Sequence, residues 1–337
     1  MRDLASAGFR TTKSAQQLHF PAPLLHTSHV LPSRLSGYGR WIAVAALLAA
    51  QAIGQPTSKV DWQAAVKRAA STAPDARILV LDIATNKLLA SHHQAESART
   101  LAAPGSTLKP LILYQLIRAS RWNAEQRIAC DRNLAIAGHR LACSHPPSSP
   151  FDTREALAWS CNTYFAQVAR SLAPSDLGPM LRRTGLLGVT GMAEKNGETE
   201  AIAEFREPVN AEAIQLALLG VEGIRVTPLE LAAAYRWLAM EAAAHPDSAA
   251  TRIVRAGLAD STTFGMASAA GVGGASVAGK TGTAEGAATA QTHGWFAGLA
   301  PQENPRVVIV VYLPSGRGAD AAHVAADVLA GRRGVRQ

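Results

Sequence analysis

The sequence predicts an α+β fold in which both ends of the chain contribute strands to one sheet. Two short extended segments, residues 77–83 and 87–90, lie near the start of the folded part. Three more, residues 276–283, 294–299 and 306–313, follow one another near the end, and the region between the two groups has helical periodicity. Short connections favour antiparallel pairing within each group, so we expect one α+β domain.

Capping signals predict where the helices begin. Ser58 followed by Asp61 predicts a capped amphipathic helix that continues through Trp62 and Ala69. The sequence at 152–155 has the form of a capping box that starts a helix toward Trp159. A second helical pattern begins after Asn162. Thr227, Pro228 and Glu230 combine an N-cap, proline at the first helical position and an acidic third position, which predicts a long helix. The last helix is expected over about 319–330.

The positive charge of the chain does not indicate nucleic-acid binding. The 337 residues carry a formal net charge of +8. Residues 1–55 contain five basic side chains against Asp3 alone, which accounts for half of this charge. The remaining charge is spread without a dense basic run or interleaved aromatic side chains, so we predict no nucleic-acid partner.

The first 55 residues resemble a leader with a secretory signal. Arg34 and Arg40 precede an apolar run at about 41–54 that ends in small residues. We therefore divide the chain into a leader, 1–55, and a single folded domain, 56–337, exported to the periplasm or another extracytoplasmic space. An uncleaved anchor in the cytoplasmic membrane is the weaker alternative, because the run is shorter than the ~20 residues of a spanning helix. The length of the preceding region suggests a true start downstream of Met1.

Export changes the interpretation of the three cysteines, because exported thiols meet an oxidising compartment. Cys130 and Cys143 bracket a segment with a glycine turn, and we expect a hairpin closed by a disulfide between them. A metal site is the rival interpretation, since His139 and His145 lie beside these cysteines, but the spacing matches no closed zinc motif. We therefore predict no metal. Cys161 is expected to be buried as a small apolar side chain.

Ser106 and Lys109 form the first candidate site. They are three positions apart at a predicted helix start, so both side chains would lie on one face. A serine hydroxyl becomes a nucleophile when a base removes its proton, and a lysine kept neutral by burial or by a nearby cation can be that base. Pro110 cannot donate a helical hydrogen bond to Ser106, so this turn is expected to be atypical.

Two further short motifs follow in the chain. Ser160 and Asn162 lie at a predicted turn between two helices, and Lys280-Thr281-Gly282 lies in a predicted strand. Each motif is weak alone, because Ser-x-Asn is common in turns and Lys-Thr-Gly at strand ends. The order Ser-x-x-Lys, Ser-x-Asn, Lys-Thr-Gly is a specific combination.

With these motifs, the chain resembles the penicillin-binding transpeptidase domain of the serine D,D-peptidase and β-lactamase superfamily. Segments 103–110, 153–157, 226–229 and 294–301 also resemble family segments in the family's order, and the likeness covers roughly residues 60 to 331. The resemblance implies a five-stranded antiparallel sheet flanked by helices, plus an all-helical lobe. It implies no metal or organic cofactor.

The resemblance also implies a role for each motif residue. Ser106 would form an acyl-enzyme and Lys109 would accept its proton, while Ser160 would relay a proton between Lys109 and Lys280. The substrate would be held by Lys280, Asn162, Thr281, Gly282 and Thr283, with the oxyanion between the backbone N–H groups of Ser106 and Thr283. The implied partners are the D-alanyl-D-alanine ends of peptidoglycan stem peptides and β-lactams.

The resemblance leaves the fate of the acyl group open. Residues 56–75 leave no room for a second N-terminal module, so we expect a stand-alone transpeptidase, with a D,D-carboxypeptidase or β-lactamase as alternatives. Glu155 and Glu285 are weak candidates for a water-activating base. A β-lactam sensor without turnover is the non-catalytic alternative.

A nucleotide-binding loop is a further alternative. Residues 274–281 also satisfy the Walker A pattern. A Walker A loop follows a hydrophobic strand and opens a helix. The sequence predicts no strand before this segment and no helix after it, which argues against a nucleotide hydrolase.

Overall fold

A five-stranded antiparallel sheet forms the centre of the described domain, as the sequence predicts. The computed structural model describes residues 60–146, 150–193, 199–285 and 291–331. The strands are β1 (Arg77–Asp82), β2 (Leu88–His92), β3 (Ala135–Ile136), β4 (His139–Arg140), β5 (Glu204–Phe205), β6 (Ile224–Arg225), β7 (Ala278–Glu285), β8 (Thr292–Ala300) and β9 (Val307–Leu313). The large sheet has the order β2-β1-β9-β8-β7, so the two N-terminal strands join the three C-terminal ones.

Helices cover the sheet and fill the region between its two halves. They are α1 (Trp62–Thr72), α2 (Gln94–Arg99), α3 (Lys109–Arg118), α4 (Thr153–Ala158), α5 (Asn162–Ala169), α6 (Leu177–Arg183), α7 (Ala211–Leu218), α8 (Pro228–Ala244), α9 (Ala249–Thr263) and α10 (Gly318–Gly331). The pairs β3–β4 and β5–β6 form two small separate ribbons. The α+β prediction is confirmed.

Both faces of the large sheet are buried. Leu79 and Val310 belong to the larger apolar core, which continues into the helices between α3 and α9. Their neighbours Ile78 and Val311 belong to a second core, which is covered by α1 and α10. Successive strand side chains point to opposite faces, so a strand packed on both sides has a continuous apolar run. This explains why every residue of β9 is buried.

The predicted capping boxes are present. The backbone N–H of Glu155 donates to Asp152 Oδ1 at 2.9 Å, and the N–H of Asp152 donates to Glu155 Oε2 at 2.9 Å. Thr227 and Glu230 make the same reciprocal pair at the start of α8, with distances of 3.1 and 2.9 Å. Each cap satisfies N–H groups that have no partner inside the helix, which fixes where α4 and α8 begin.

The predicted hairpin between the first two cysteines is also present. β3 and β4 pair antiparallel, and Ala137 and Gly138 connect them with φ values of 47° and 85°. Positive φ at both turn residues is the requirement of a type I′ hairpin turn, which glycine meets without steric cost. The hairpin forms one wall of the cleft described below.

The predicted leader, 1–55, with its apolar run at 41–54, lies outside the described residues and stays a prediction. None of the described helices combines the length and apolar character that crossing a bilayer requires.

Candidate active site

Ser106 lies in a 3₁₀ turn, Gly105–Leu108, directly before α3. The α-helix begins only at Lys109, whose N–H bonds the Ser106 carbonyl. Pro110 occupies one of the first two helical positions, where its missing N–H leaves no helical bond unmade. The atypical turn predicted from Pro110 is therefore a tight 3₁₀ turn rather than a loosened helix.

Several bonds to backbone groups hold this turn in place. Gly105 N donates to Gly220 O at 3.0 Å, Tyr235 Oη donates to Thr107 O at 3.0 Å, and Trp295 Nε1 donates to Ala103 O at 2.9 Å. Because the partners come from α8, β8 and the segment after α7, the turn that carries Ser106 is fixed from three sides. The sequence motifs did not indicate these positioning residues.

Gly105 and Gly282 allow β7 to lie directly against this turn. Gly105 has φ +54°, and a Cβ built there would lie 2.9 Å from Thr283 N. A Cβ at Gly282 would lie 2.4 Å from Pro104 O. Neither position can hold a side chain without movement of the backbone. The close approach places the Thr283 backbone beside the Ser106 turn, where the resemblance puts the oxyanion.

Lys109 is fully buried and hydrogen-bonded. Its Nζ donates to Asn162 Oδ1 at 2.7 Å, to Ser160 O at 3.0 Å and to Ser160 Oγ at 3.2 Å. It also lies 5.0 Å from the centre of the Phe165 ring. Burial lowers the pKa of Lys109 to about 8. With this pKa the neutral form of Lys109 is a minor species at pH 7 and becomes the major one above about pH 8.

Ser160 and Asn162 lie at the turn between α4 and α5, as predicted. Ser160 has φ +55°, an uncommon conformation for a residue other than glycine, asparagine or aspartate. The side-chain amide of Asn162 accepts from Lys109 at one end and donates to Leu141 O at 3.2 Å at the other. Each end of an asparagine amide keeps one further hydrogen-bonding position, so Asn162 can still contact a substrate.

Lys280 is also fully buried, on β7. Its Nζ donates to Thr281 O at 3.1 Å. Burial and, second, the positive charge of Lys109 hold the pKa of Lys280 well below its usual value. Within the described part of the chain no hydrogen bond joins Lys280 to Ser160, so the bridge that the resemblance implies is formed here on the Lys109 side alone. Lys280 lies inside β7, which continues to Glu285, whereas the lysine of a Walker A loop opens a helix. This contradicts a nucleotide-binding loop.

Thr281 and Thr283 are on the opposite face of β7 from Lys280. The Thr283 hydroxyl accepts from Gly318 N at 2.9 Å at the start of α10. Thr281 is largely buried, and its hydroxyl is 3.4 Å from Met266 O. Because the Thr283 hydroxyl accepts this bond, its own hydrogen remains available for a ligand.

A cleft of about 610 Å³ joins the predicted residues. Ser106, Ser160, Asn162, Thr281 and Thr283 all line it. The two lysines lie beneath its walls rather than on its surface. Its lining also includes residues that the motifs did not indicate, namely Gly138, Arg140, Ala142, Trp159, Val221 and Met266.

The cysteines do not form the predicted disulfide. Cys130, Cys143 and Cys161 are free thiols, so the pairing of Cys130 with Cys143 is wrong. The Cys143 sulfur accepts from Asn162 N at 3.2 Å, and the Cys130 sulfur lies 3.4 Å from His145 Nε2. A disulfide would need the two sulfurs about 2.05 Å apart. The Cys130 and Cys143 sulfurs lie within 4.8 Å of each other without being bonded.

Cys161 is completely buried, as predicted, but its surroundings are not merely apolar. Cys130, Cys143, Cys161 and His145 bring their donor atoms within 4.8 Å of one another. His139, the other histidine considered at the sequence level, lies apart from them, with Nε2 at 3.1 Å from Glu222.

Comparison with known proteins identifies the family of this chain. The family model described as the penicillin binding protein transpeptidase domain matches residues 76–330. The match covers more than half of the chain, so the protein belongs to this family. None of the curated protein sequences compared with the chain matches it.

Solved structures agree with this fold. The apo transpeptidase domain of penicillin-binding protein 3 from Burkholderia pseudomallei is 19% identical, with a TM-score of 0.68 over 81% of this chain and 93% of that one. A peptidoglycan glycosyltransferase from Burkholderia ambifaria is 21% identical, with a TM-score of 0.66 over 82% and 93%. The D,D-transpeptidase domain of a peptidoglycan glycosyltransferase from Eggerthella lenta is 20% identical, with a TM-score of 0.65 over 79% and 80%.

Proposed function

We propose that this protein is a serine acyltransferase that acts on the D-alanyl-D-alanine ends of peptidoglycan stem peptides, and that penicillin acylates the same residue, Ser106. The observation that supports it most is the state of Lys109, a fully buried amine with a pKa of about 8. Lys109 follows three residues after Ser106, which is half-buried and lines the cleft. An amine in this state is a competent base for a serine hydroxyl.

In the proposed acylation, Ser106 Oγ attacks the carbonyl carbon of the penultimate D-alanine while Lys109 Nζ takes the hydroxyl proton. The backbone N–H groups of Ser106 and Thr283 stabilise the oxyanion, an interaction typically worth about 3–4 kcal/mol. When the peptide C–N bond breaks, the departing D-alanine amine takes a proton through Ser160, which is hydrogen-bonded to Lys109. The product is an ester on Ser106.

The other motif residues would hold the substrate. Thr281 and Thr283 line the cleft, and their hydroxyls are proposed to bind the terminal carboxylate. Gly282 leaves room for β7 to approach Ser106. Lys280 is proposed to attract the same carboxylate, and Asn162 to hold the substrate's backbone amide. Because peptidoglycan lies outside the cytoplasm, we place the reaction there, consistent with the predicted export signal.

Hydrolysis is the second candidate, as a D,D-carboxypeptidase or β-lactamase. The acyl-enzyme is released by an amine in a transpeptidase and by an activated water in a hydrolase. Glu285 lines the cleft at the end of β7, which keeps a water-activating carboxylate available. Glu155 is engaged in its cap and lies 3.0 Å from Arg127 Nη2, so it is the poorer candidate for such a base.

The acylation step is tested by incubating the full chain with a fluorescent penicillin and recovering the labelled peptide. We expect one covalent adduct, on Ser106, and its loss in Ser106→Ala. The matched control is Ser71→Ala, which removes an exposed serine hydroxyl of α1 and should label normally. Labelling that persists in Ser106→Ala, or no labelling of the wild type, would overturn the proposal.

The fate of the acyl group is tested with a peptide ending in D-alanyl-D-alanine, with and without an amine acceptor. Transfer product that increases with acceptor concentration supports a transpeptidase. Release of D-alanine alone, at a rate independent of acceptor, supports a carboxypeptidase. Rapid release of the penicillin adduct supports a β-lactamase, and a stable adduct without peptide turnover supports the sensor alternative.

A further inference from the structure

Four soft donor atoms converge beside the active site. The sulfurs of Cys130, Cys143 and Cys161 and a ring nitrogen of His145 all lie within 4.8 Å of one another. His145, Cys143 and Cys161 are buried, and Cys130 is partly buried. We call this group the Cys₃His cluster. It comes from three parts of the chain: Cys130 precedes the β3–β4 hairpin, Cys143 and His145 follow it, and Cys161 lies between α4 and α5.

The distances fit one tetrahedral ion. Zn²⁺ binds cysteine sulfur at about 2.3 Å and histidine nitrogen at about 2.0–2.1 Å. Ligands at tetrahedral angles around such an ion are therefore separated by about 3.5–3.8 Å. The Cys130 sulfur and His145 Nε2 are 3.4 Å apart, which already matches one edge of the tetrahedron. The other separations, all below 4.8 Å, need only small movements.

The orientation of His145 also suits a metal ligand. Its Nδ1 lies 2.8 Å from Pro146 O, a group that can only accept, so Nδ1 carries the proton. The Nε2 lone pair then points toward Cys130. Histidine ligands in proteins characteristically donate their other ring N–H to an oxygen in this way. Arg132 Nη1 donates to His145 O at 2.6 Å and further fixes this residue.

Polar groups around the cysteines complete an outer shell. Asn162 N donates to the Cys143 sulfur at 3.2 Å. The Thr163 hydroxyl lies 3.7 Å from the Cys130 sulfur, although its shorter bond is to Asp131 O at 2.5 Å. Four convergent protein ligands supported by an outer shell are typical of a closed, structural site.

We propose that Cys130, Cys143, His145 and Cys161 bind one zinc ion that ties the β3–β4 hairpin to the turn between α4 and α5. Three thiolates and one imidazole in tetrahedral reach select zinc over the hard cations magnesium and calcium. This replaces the sequence-based expectations of a disulfide and of no metal. The proposal does not depend on the proposed function, because metal content is measured without any substrate.

Zinc would affect the active site by fixing the positions of the residues that hydrogen-bond to Lys109. Cys161 lies between Ser160 and Asn162, the two hydrogen-bonding partners of Lys109. The hairpin contributes Leu141 O, which holds the other end of Asn162. A metal bound to Cys161 and Cys143 would fix both sides of this arrangement. Zinc is not expected to contact substrate, since all four of its positions are filled by protein.

The first test measures zinc by elemental analysis in the full chain, purified without chelators, with the intact mass recorded under non-reducing conditions. We expect about one zinc per chain and a mass showing three reduced cysteines. His145→Ala should lose the metal, whereas His323→Ala, which removes an exposed histidine of α10, should retain it. No zinc together with a mass two hydrogens lower would show a disulfide and overturn the proposal.

The second test needs no variant and so does not depend on variant folding. Cobalt(II) is added to metal-free wild-type chain. A tetrahedral thiolate site gives intense visible bands and a sulfur-to-cobalt charge-transfer band, saturating at one equivalent and removed by equimolar zinc. Only the weak spectrum of octahedral cobalt, or saturation well above one equivalent, would contradict the site.

Discussion

Two buried polar clusters share the turn between α4 and α5, and they satisfy their polar groups differently. The first, the amine cluster, consists of Lys109, Ser160 and Asn162. Lys109 Nζ donates to oxygens of Ser160 and Asn162 over distances of 2.7 to 3.2 Å, so the protein itself supplies the acceptors that the amine needs. In the Cys₃His cluster the converging atoms are three sulfurs and an imidazole nitrogen, which are mainly acceptors when deprotonated.

This difference indicates what each cluster requires. Burying a polar group costs free energy unless it is hydrogen-bonded. A cluster in which donors and acceptors pair with one another therefore needs no ligand. A cluster of acceptors needs a cation to complete it. The amine cluster is therefore complete without a ligand, whereas the Cys₃His cluster, once its thiols are deprotonated, is completed by the proposed zinc. The predictions below test whether only the Cys₃His cluster binds zinc, and whether loss of that zinc slows acylation through the turn that the two clusters share.

The largest effect is expected from Lys109→Met, which removes the amine but keeps an unbranched side chain in the apolar site. Acylation by penicillin should slow by a factor of about 10²–10⁴, the usual contribution of a positioned base. Bound zinc should stay at the wild-type level, because Lys109 is not a ligand. Stopped-flow or gel-based acylation rates and elemental analysis measure the two quantities. An unchanged acylation rate would remove Lys109 from its proposed role.

Cys161→Ala should have the next largest effect, because it removes one metal ligand and frees the turn. We expect loss of zinc and a decrease in the acylation rate of about 10–100-fold, comparable to other losses of support around a metal. The control is Ser261→Ala, which also deletes one buried atom and whose hydroxyl has no hydrogen-bond partner among the described residues. If Cys161→Ala and Ser261→Ala behave alike, the coupling is wrong.

A smaller effect is expected from pH. Neutral Lys109 is the proposed base and its pKa is lowered to about 8, so the neutral fraction grows as pH rises through 8. The acylation rate should increase about tenfold between pH 7 and pH 9. It is measured with a penicillin that carries no group titrating in this range. A rate that is flat or falling over the same interval would contradict a neutral Lys109 as the base.

The smallest effect on the site is expected from Thr227→Ala, which removes the side-chain cap of α8 but no residue that lines the cleft or belongs to the Cys₃His cluster. Loss of a cap costs about 1–2 kcal/mol in the free energy of unfolding. Zinc content and acylation rate should be unchanged at temperatures where the variant is folded. Denaturant unfolding measures the first quantity. If acylation falls as in Cys161→Ala, that effect reflects general destabilisation rather than the shared turn.

The sequence allowed most of the fold to be predicted, because the decisive signals were local. The apolar run of β9 and the caps at Asp152 and Thr227 depend on neighbours only a few positions away. The predicted start of the helix at Ser106 was less accurate, because the α-helix begins only at Lys109. A 3₁₀ turn and an α-helix start share the same residue types, and the choice here depends on Gly105 fitting against Thr283, which is far along the chain.

The candidate site was predicted in part. Ser106, Ser160, Asn162, Thr281 and Thr283 meet at one cleft, as the order of their motifs indicated. The cysteines were misinterpreted because spacing along the chain does not report convergence in space. His145 reaches Cys130 only because the hairpin turns the chain back, and Cys161 reaches them from the turn between two helices. The positioning bonds from Tyr235 and Trp295 carry no motif at all.

The most direct test of the coupling between the two clusters is the acylation rate of the wild-type chain as a function of bound zinc. One preparation is divided into samples holding between zero and one zinc per chain, and each is mixed with a fluorescent penicillin. We predict that the fraction of chain that is rapidly acylated on Ser106 rises in proportion to bound zinc. Rapid acylation that is equally complete in the zinc-free and zinc-loaded samples would contradict the account.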